Sequence, residues 1–118
     1  MNPTRQDRRI DYVEMPSNDL PATRAFYERV FGWSFTDYGP TYSAFNDGRM
    51  DGGFDADDRP SSSAGPLVIL YAHDLEAVLA DVTAAGAEIL RPTYSFPGGR
   101  RFHFRDPGGN ELAVWSDR

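Results

Sequence analysis

The chain has 118 residues, enough for one hydrophobic core and too few for two independent domains. Its formal net charge of −6 argues against nucleic-acid phosphates and anionic membrane surfaces as partners, and permits cationic ligands. The absence of cysteine removes disulfides, thiolate metal sites and cysteine nucleophiles, while eight Phe, six Tyr and two Trp must fill a core or line a cavity.

Residues 1–9 are polar and Arg-bearing, lack the apolar stretch of a signal peptide, and are expected to form a disordered tail, with a cytoplasmic location as the default. No apolar run approaches the roughly 20 residues that cross a bilayer. Residues 10–118 are expected to form a single domain. It opens with a strand over 10–15, on which Tyr12 and Glu14 share one face and Val13 and Met15 the other. Pro16-Ser17-Asn18-Asp19 ends that strand. Asp19 is placed to cap a helix, Pro21 suits its first turn, and Leu20, Thr23, Phe26, Tyr27, Val30 and Phe31 recur at helical spacing until Gly32. Strands are predicted over 33–38, 42–46 and 50–54, separated by Gly and Pro turns.

Residues 55–66, DADDRPSSSAGP, carry no apolar pattern to bury and read as a linker between a module at 10–54 and a second at 67–118. The pattern then restarts. A strand over 67–72 is followed by a second cap, Asp74, and a second apolar stripe, Leu75, Val78, Leu79 and Val82, before Gly86. A strand over 87–91, a Pro/Gly loop and a hairpin complete the module, the hairpin's strands 100–105 and 111–115 flanking the turn Asp106-Pro107-Gly108-Gly109-Asn110. That turn reads as structural, since Asp and Asn side chains bond nearby backbone amides. Superposing Asp19-Leu20 on Asp74-Leu75 also brings Ala22 over Ala77 and Ala25 over Ala80, so the chain reads as two copies of one strand, one helix and three strands.

One helix covers only one face of a four-stranded sheet, so the other face must meet its counterpart or a second chain. The expected fold class is α+β: two βαβββ modules forming curved mixed sheets around a concave cleft suited to a small molecule.

The stretches Asp19-Leu20 with 26–33 (FYERVFGW), the degenerate copy at 74–86 and the closing RFHFRDPGGNELAVW resemble the vicinal oxygen chelate superfamily, also called the glyoxalase, bleomycin resistance protein and extradiol dioxygenase family. The resemblance covers essentially residues 10–116 and implies the paired βαβββ fold. It also implies, in metal-dependent members, His, Gln or Glu ligands on the first and last strand of each module, holding a divalent cation. Carried over by position, those places fall on Tyr12, Gly53, Leu67 and Ala113, none of which is an ordinary metal ligand. A slip of two residues offers only Glu14 or Glu111. The resemblance therefore points to a non-metal subgroup with no cofactor, similar to bleomycin resistance proteins, which are acidic dimers that sequester a drug.

Among residues able to do chemistry, Glu14 shares a face with Tyr12, and His103 faces away from Phe102 and Phe104. Glu111 follows the turn directly. These three are the catalytic candidates. Arg100 and Arg101 are candidates for an anionic group. Tyr12, Glu14, Trp33, Tyr42, Leu67, Tyr71, Phe102, Ala113 and Trp115 are the expected ligand-binding set, with Tyr38, Phe45 and Phe96 as further aromatic candidates. The expected protein is a homodimer that binds a small aromatic or cationic organic molecule without metal, with neither nucleic acid nor membrane as partner. The alternative is a glyoxalase-like lyase, isomerase or dioxygenase using a divalent metal at a non-standard site, and a metal-free enzyme using Glu14 or His103 stands beside it.

Overall fold

The computed structural model describes residues 7–8, 10–57 and 66–118. Most of the expected tail and the centre of the expected linker, residues 58–65, lie outside the described residues. Eight strands and two helices follow one another as β1 (Tyr12–Pro16), α1 (Leu20–Phe31), β2 (Ser34–Asp37), β3 (Tyr42–Asn46), β4 (Asp51–Asp55), β5 (Val68–Tyr71), α2 (Leu75–Ala84), β6 (Glu88–Phe96), β7 (Gly99–Arg105) and β8 (Glu111–Ser116). The order is βαβββ twice over.

Both helices start where their acidic caps predict. The Asp19 carboxylate accepts from the Ala22 amide at 3.2 Å, and that of Asp74 from the Ala77 amide at 3.0 Å. Gly32 ends α1 in a left-handed conformation at φ 72°.

The sheets share one topology. Their strand orders are β1-β4-β3-β2 and β5-β8-β7-β6, the first and last strand of each unit pairing in parallel and the others antiparallel. Each sheet buries one face. In the first unit Met15, Phe45 and Phe54 point into the core with Phe26, Tyr27 and Trp33; in the second, Phe102, Phe104, Leu112 and Val114 join Leu75 and Val82. Phe26 and Phe31 of α1 reach across to Phe104, at ring distances of 5.8 and 6.3 Å, so the core is shared between the units.

The DPGGN turn does more than close a hairpin. Asp106 Oδ1 accepts from the Gly108 and Asn110 amides, as the residue types suggest. Its Oδ2 accepts from the Tyr27 hydroxyl of the first unit at 2.9 Å, Gly108 C=O accepts from the Asn18 amide, and Asn110 Nδ2 donates to Pro16 C=O. A side chain at Gly108 would meet Ser17 Oγ and Thr23 Oγ1 within 2.6 Å, so only glycine lets the turn seat so closely against the first unit. Burial pushes the Asp106 carboxyl up, opposed by the hydrogen bonds of Asn110, Tyr27 and Gly108, and it pushes the Tyr27 hydroxyl up strongly, with the Asp106 charge adding to the rise.

One expectation fails in the second unit. The stretch after Arg91, read as a Pro/Gly loop, continues as strand to Phe96. β6 is an edge strand, and its register against β7 shifts on either side of Arg91. Such an edge tolerates Pro92, whose missing donor is needed by no neighbour. The β-prone run Thr93-Tyr94-Ser95-Phe96 then resumes pairing, with Tyr94 opposite Arg101.

Candidate functional site

The faces turned away from the helices are where a ligand can be met. In the first sheet the register sets Tyr12 opposite Asp51, Glu14 opposite Gly53 and Asn46 opposite Asp51 on the open face, with Tyr42 on the same side. The Tyr12 and Tyr42 hydroxyls lie 2.5 Å apart, and Tyr42 donates to Glu14 Oε1 at 2.9 Å. Burial, then Tyr12, then the Glu14 carboxylate hold the Tyr42 proton on far above the usual phenol range, so Tyr42 stays a donor. Beside this trio lies a depression of about 370 Å³ lined by Tyr12, Tyr38, Tyr42, Ser34, Asn46 and Asp51, among others.

Gly53 makes this arrangement possible. A Cβ there would stand 2.1 Å from the Tyr42 hydroxyl oxygen and 2.7 Å from that of Tyr12, so the two phenols occupy the space over the position where the resemblance implies a metal ligand.

The second sheet carries a different set. His103 is buried, contrary to the partly exposed position its strand pattern suggests, and both ring nitrogens are engaged: Nδ1 with Glu111 Oε2 at 2.8 Å and Nε2 with the Tyr94 hydroxyl at 3.0 Å. Arg101 Nε donates to the same hydroxyl. The Arg91 guanidinium stacks 4.2 Å from the Tyr94 ring centroid, and that of Arg101 lies 5.7 Å from the Phe96 centroid. A second depression, about 270 Å³, is lined by Ile69, Phe96, Arg101 and Trp115. Tyr71 lies edge-on to Trp115 at 5.2 Å and donates to Asp117 at 2.6 Å, a bond that raises its phenol pKa.

The candidate residues thus divide between surfaces. Tyr12, Glu14 and Tyr42 come together on one open face. Tyr71, His103, Glu111 and Trp115 share the other, where Ala113 sits opposite His103, fully covered by its neighbours, and Leu67, half-buried, precedes β5. Two expectations do not hold geometrically. Trp33 is stacked in the core between Tyr27 and Phe45, at 4.4 and 4.5 Å, and Phe102 is wholly buried on the helix-facing side of β7. Phe45 lies in the same core. Aromatic content alone does not tell a core ring from a cleft ring; the alternation in β7 does, because Phe102 and Phe104 must take the face opposite His103. Arg100 binds Glu76 and the Arg118 carbonyl, which leaves Arg101 as the member of that pair on the open face. Tyr94, which no expectation singled out, is the residue that His103 and Arg101 share.

A divalent metal does not fit the places the resemblance implies. Gly53, Leu67 and Ala113 have no donor side chain, and the Tyr12 hydroxyl is held by Tyr42. Glu14 and Glu111, the non-standard alternative, sit on different sheets and are bonded to Tyr42 and His103 respectively. Among the described residues no three His, Asp or Glu side chains cluster in a way that could hold a metal ion.

The fold has counterparts elsewhere. The profile of the Glyoxalase/Bleomycin resistance protein/Dioxygenase superfamily matches residues 9–114, and the chain belongs to that superfamily. Its fold is similar to a glyoxalase/bleomycin resistance protein/dioxygenase family enzyme from Burkholderia phytofirmans PsJN, with 20% identity, 92% of this chain and 100% of that one covered, and a TM-score of 0.77. It is similar as well to the fosfomycin resistance protein FosX from Mesorhizobium loti, with 14% identity, coverage of 94% and 93%, and a TM-score of 0.77. TioX from Micromonospora sp. ML1 is 23% identical over 93% of this chain and 99% of its own, with a TM-score of 0.71. At these identities the likeness speaks for the fold alone. A search of curated protein sequences gave no match.

Proposed function

We propose that this chain is a homodimeric small-molecule-binding protein of the superfamily, which takes an aromatic or cationic organic ligand without a metal. The observation that carries the reading is the first sheet's depression, where Tyr12, Tyr38 and Tyr42 surround a space edged by the carboxylate of Asp51, with the Glu14 carboxylate held by the Tyr42 hydroxyl beside it. Tyrosine faces attract a cation through the ring quadrupole, and a nearby carboxylate supplies the countercharge. The net charge of −6 favours the approach of such a ligand.

Calorimetry with benzyltrimethylammonium as the probe tests this. Glu14→Gln, which keeps the acceptor for Tyr42 and removes the charge, is expected to weaken binding about tenfold. Gly53→Ala is expected to displace Tyr42 and abolish binding, at a stability cost of about 1–3 kcal/mol for the overpacking. Absence of binding by aromatic cations, together with stoichiometric binding of nickel, zinc or manganese that Glu14→Ala or Glu111→Ala removes, would replace this reading with the metalloenzyme.

The dimer rests on the open faces. Tyr12, Ile69 and Tyr71 are each more than 40% exposed there. Glu14 and Asp51 make one face acidic and Arg91 and Arg101 make the other basic, so the first sheet of one copy complements the second sheet of another. Light scattering at micromolar concentration is expected to give twice the 13.2 kDa of the chain, falling toward one chain at high salt. A monomer at every salt concentration removes the dimer from the proposal.

A further inference from the structure

A depression of about 520 Å³, larger than either of those on the open faces, lies on the helix side of the molecule, where α1 meets the residues that follow α2 and the end of β7. Its floor is apolar, with Ala22, Ala25 and Phe26 from α1, Ala85 and Ala87 after α2, and Pro107 after β7. On α1 the lining residues Ala22, Ala25, Phe26 and Arg29 form one stripe, so the depression follows that helix for about 10 Å. The end of β7 and its turn run back along the same helix: Phe104 lies against Phe26 and Phe31, Asp106 holds Tyr27, and Gly108 is seated beside Thr23. Arg105 therefore stands toward the Arg29 end and Pro107 toward the Ala22 end, which gives a trough with one cationic end and one apolar end. We propose that this trough is a binding site for a medium-chain alkyl carboxylate, its carboxylate on Arg29 and Arg105 and its chain over Ala25 and Ala22 toward Pro107.

Charge selects the head group. Among the described residues Arg29 is in no ion pair, whereas Arg24 on the same helix is paired with both Glu28 and Asp37. Arg105 meets Glu88 through Nε at 3.3 Å and the Gly109 carbonyl through Nη1 at 3.5 Å, which leaves its Nη2 without a partner among the described residues. The Glu88 side chain is 67% exposed, so its bond to Arg105 is worth little and yields to a ligand carboxylate that accepts from both arginines at once. The other carboxylate in the wall, Asp106, is already engaged, its two oxygens accepting from the Gly108 and Asn110 amides and the Tyr27 hydroxyl. The rim thus sets two cations against one exposed anion, in a chain whose net charge is −6. The apolar floor selects the rest of the ligand, because an alkyl chain laid on it leaves water in proportion to the area covered. The trough shares no residue with the open faces, so it depends neither on the ammonium site nor on the pairing of sheets between copies.

Calorimetry with octanoate as the probe tests the site. Wild type is expected to bind one octanoate per chain, and to bind octan-1-ol, which has the chain without the charge, about tenfold more weakly. Arg29→Gln is expected to weaken octanoate binding about fivefold. Ala25→Gln, which lays a longer polar side chain in the trough, is expected to weaken it about tenfold. Glu88→Gln removes the competitor for Arg105 and is expected to tighten binding about threefold. Ala25, Arg29 and Glu88 are all exposed, so these substitutions leave the core intact, and circular dichroism checks the fold. Saturating benzyltrimethylammonium is expected to leave the octanoate titration unchanged. Octanoate that fails to bind wild type, or that binds Arg29→Gln and Ala25→Gln as tightly as wild type, overturns the site. Octan-1-ol that binds as tightly as octanoate, or Glu88→Gln that binds octanoate no more tightly than wild type, overturns the assignment of the carboxylate to the arginines. Competition between octanoate and the ammonium probe places octanoate on the first sheet and overturns the proposal too.

Discussion

Replacing Asp106 with alanine is expected to lower the unfolding free energy by about 3–4 kcal/mol, read from urea denaturation. The carboxylate is nearly inaccessible and accepts three hydrogen bonds, from the Gly108 and Asn110 amides and from the Tyr27 hydroxyl. Alanine leaves all three donors buried without a partner, and it cuts the tie between α1 and the β7–β8 turn. Asp106→Asn keeps an oxygen for the two amides and an amide group against Tyr27, whose hydroxyl can accept instead, so its cost should stay near 1 kcal/mol. The pH dependence of this pair has a definite sign. Burial raises the Asp106 pKa in the folded protein, so the folded state holds this proton more tightly than the unfolded chain. The group's contribution to stability is full below the ordinary carboxylate value, about 4, and is lost as pH rises through the raised one. Asparagine has no such loss, so the stability of Asp106→Asn relative to wild type should improve as pH climbs from about 4 toward neutrality.

Trp33→Ala is expected to cost about 3–5 kcal/mol, in line with removal of a large aromatic from a packed core. The indole is 8% exposed and is stacked between Tyr27 and Phe45. The folded variant should bind benzyltrimethylammonium as wild type does, because the rings outside the core that line the depression are those of Tyr12, Tyr38 and Tyr42 rather than Trp33. A stable Trp33→Ala protein with lost ligand binding would instead return Trp33 to the cleft wall.

The parts legible in the sequence were those governed by short-range rules. Asp19 and Asp74 cap their helices because a carboxylate three residues ahead of an unpaired amide can reach it whatever the rest of the chain does. Tyr12 and Glu14 share a face because strand side chains alternate, and the repeat revealed the second unit because the same local patterns recur in the same order. Tyr94 escaped notice because Pro92 and the following Pro and Gly residues argue for a loop, and only the edge position of β6 lets a bulged strand carry Pro92. His103 was visible as a residue on the open face, but its burial depends on Tyr94, which reaches it from β6, and on Glu111 from β8.

By itself, then, the sequence determined the order of elements, the duplication and the facing of each strand, since periodicity and capping act over a few residues. Tertiary structure alone decided which aromatic rings are core, that Tyr42 lies over Gly53, and that Arg91 and Arg101 meet one tyrosine. It also decided that the turn read as purely local joins the two units, with Tyr27 and Asp106 bonded across 79 residues and Pro16 and Asn110 across 94. Contacts at such separations follow from how the two helical layers pack around one core, and no local pattern records them.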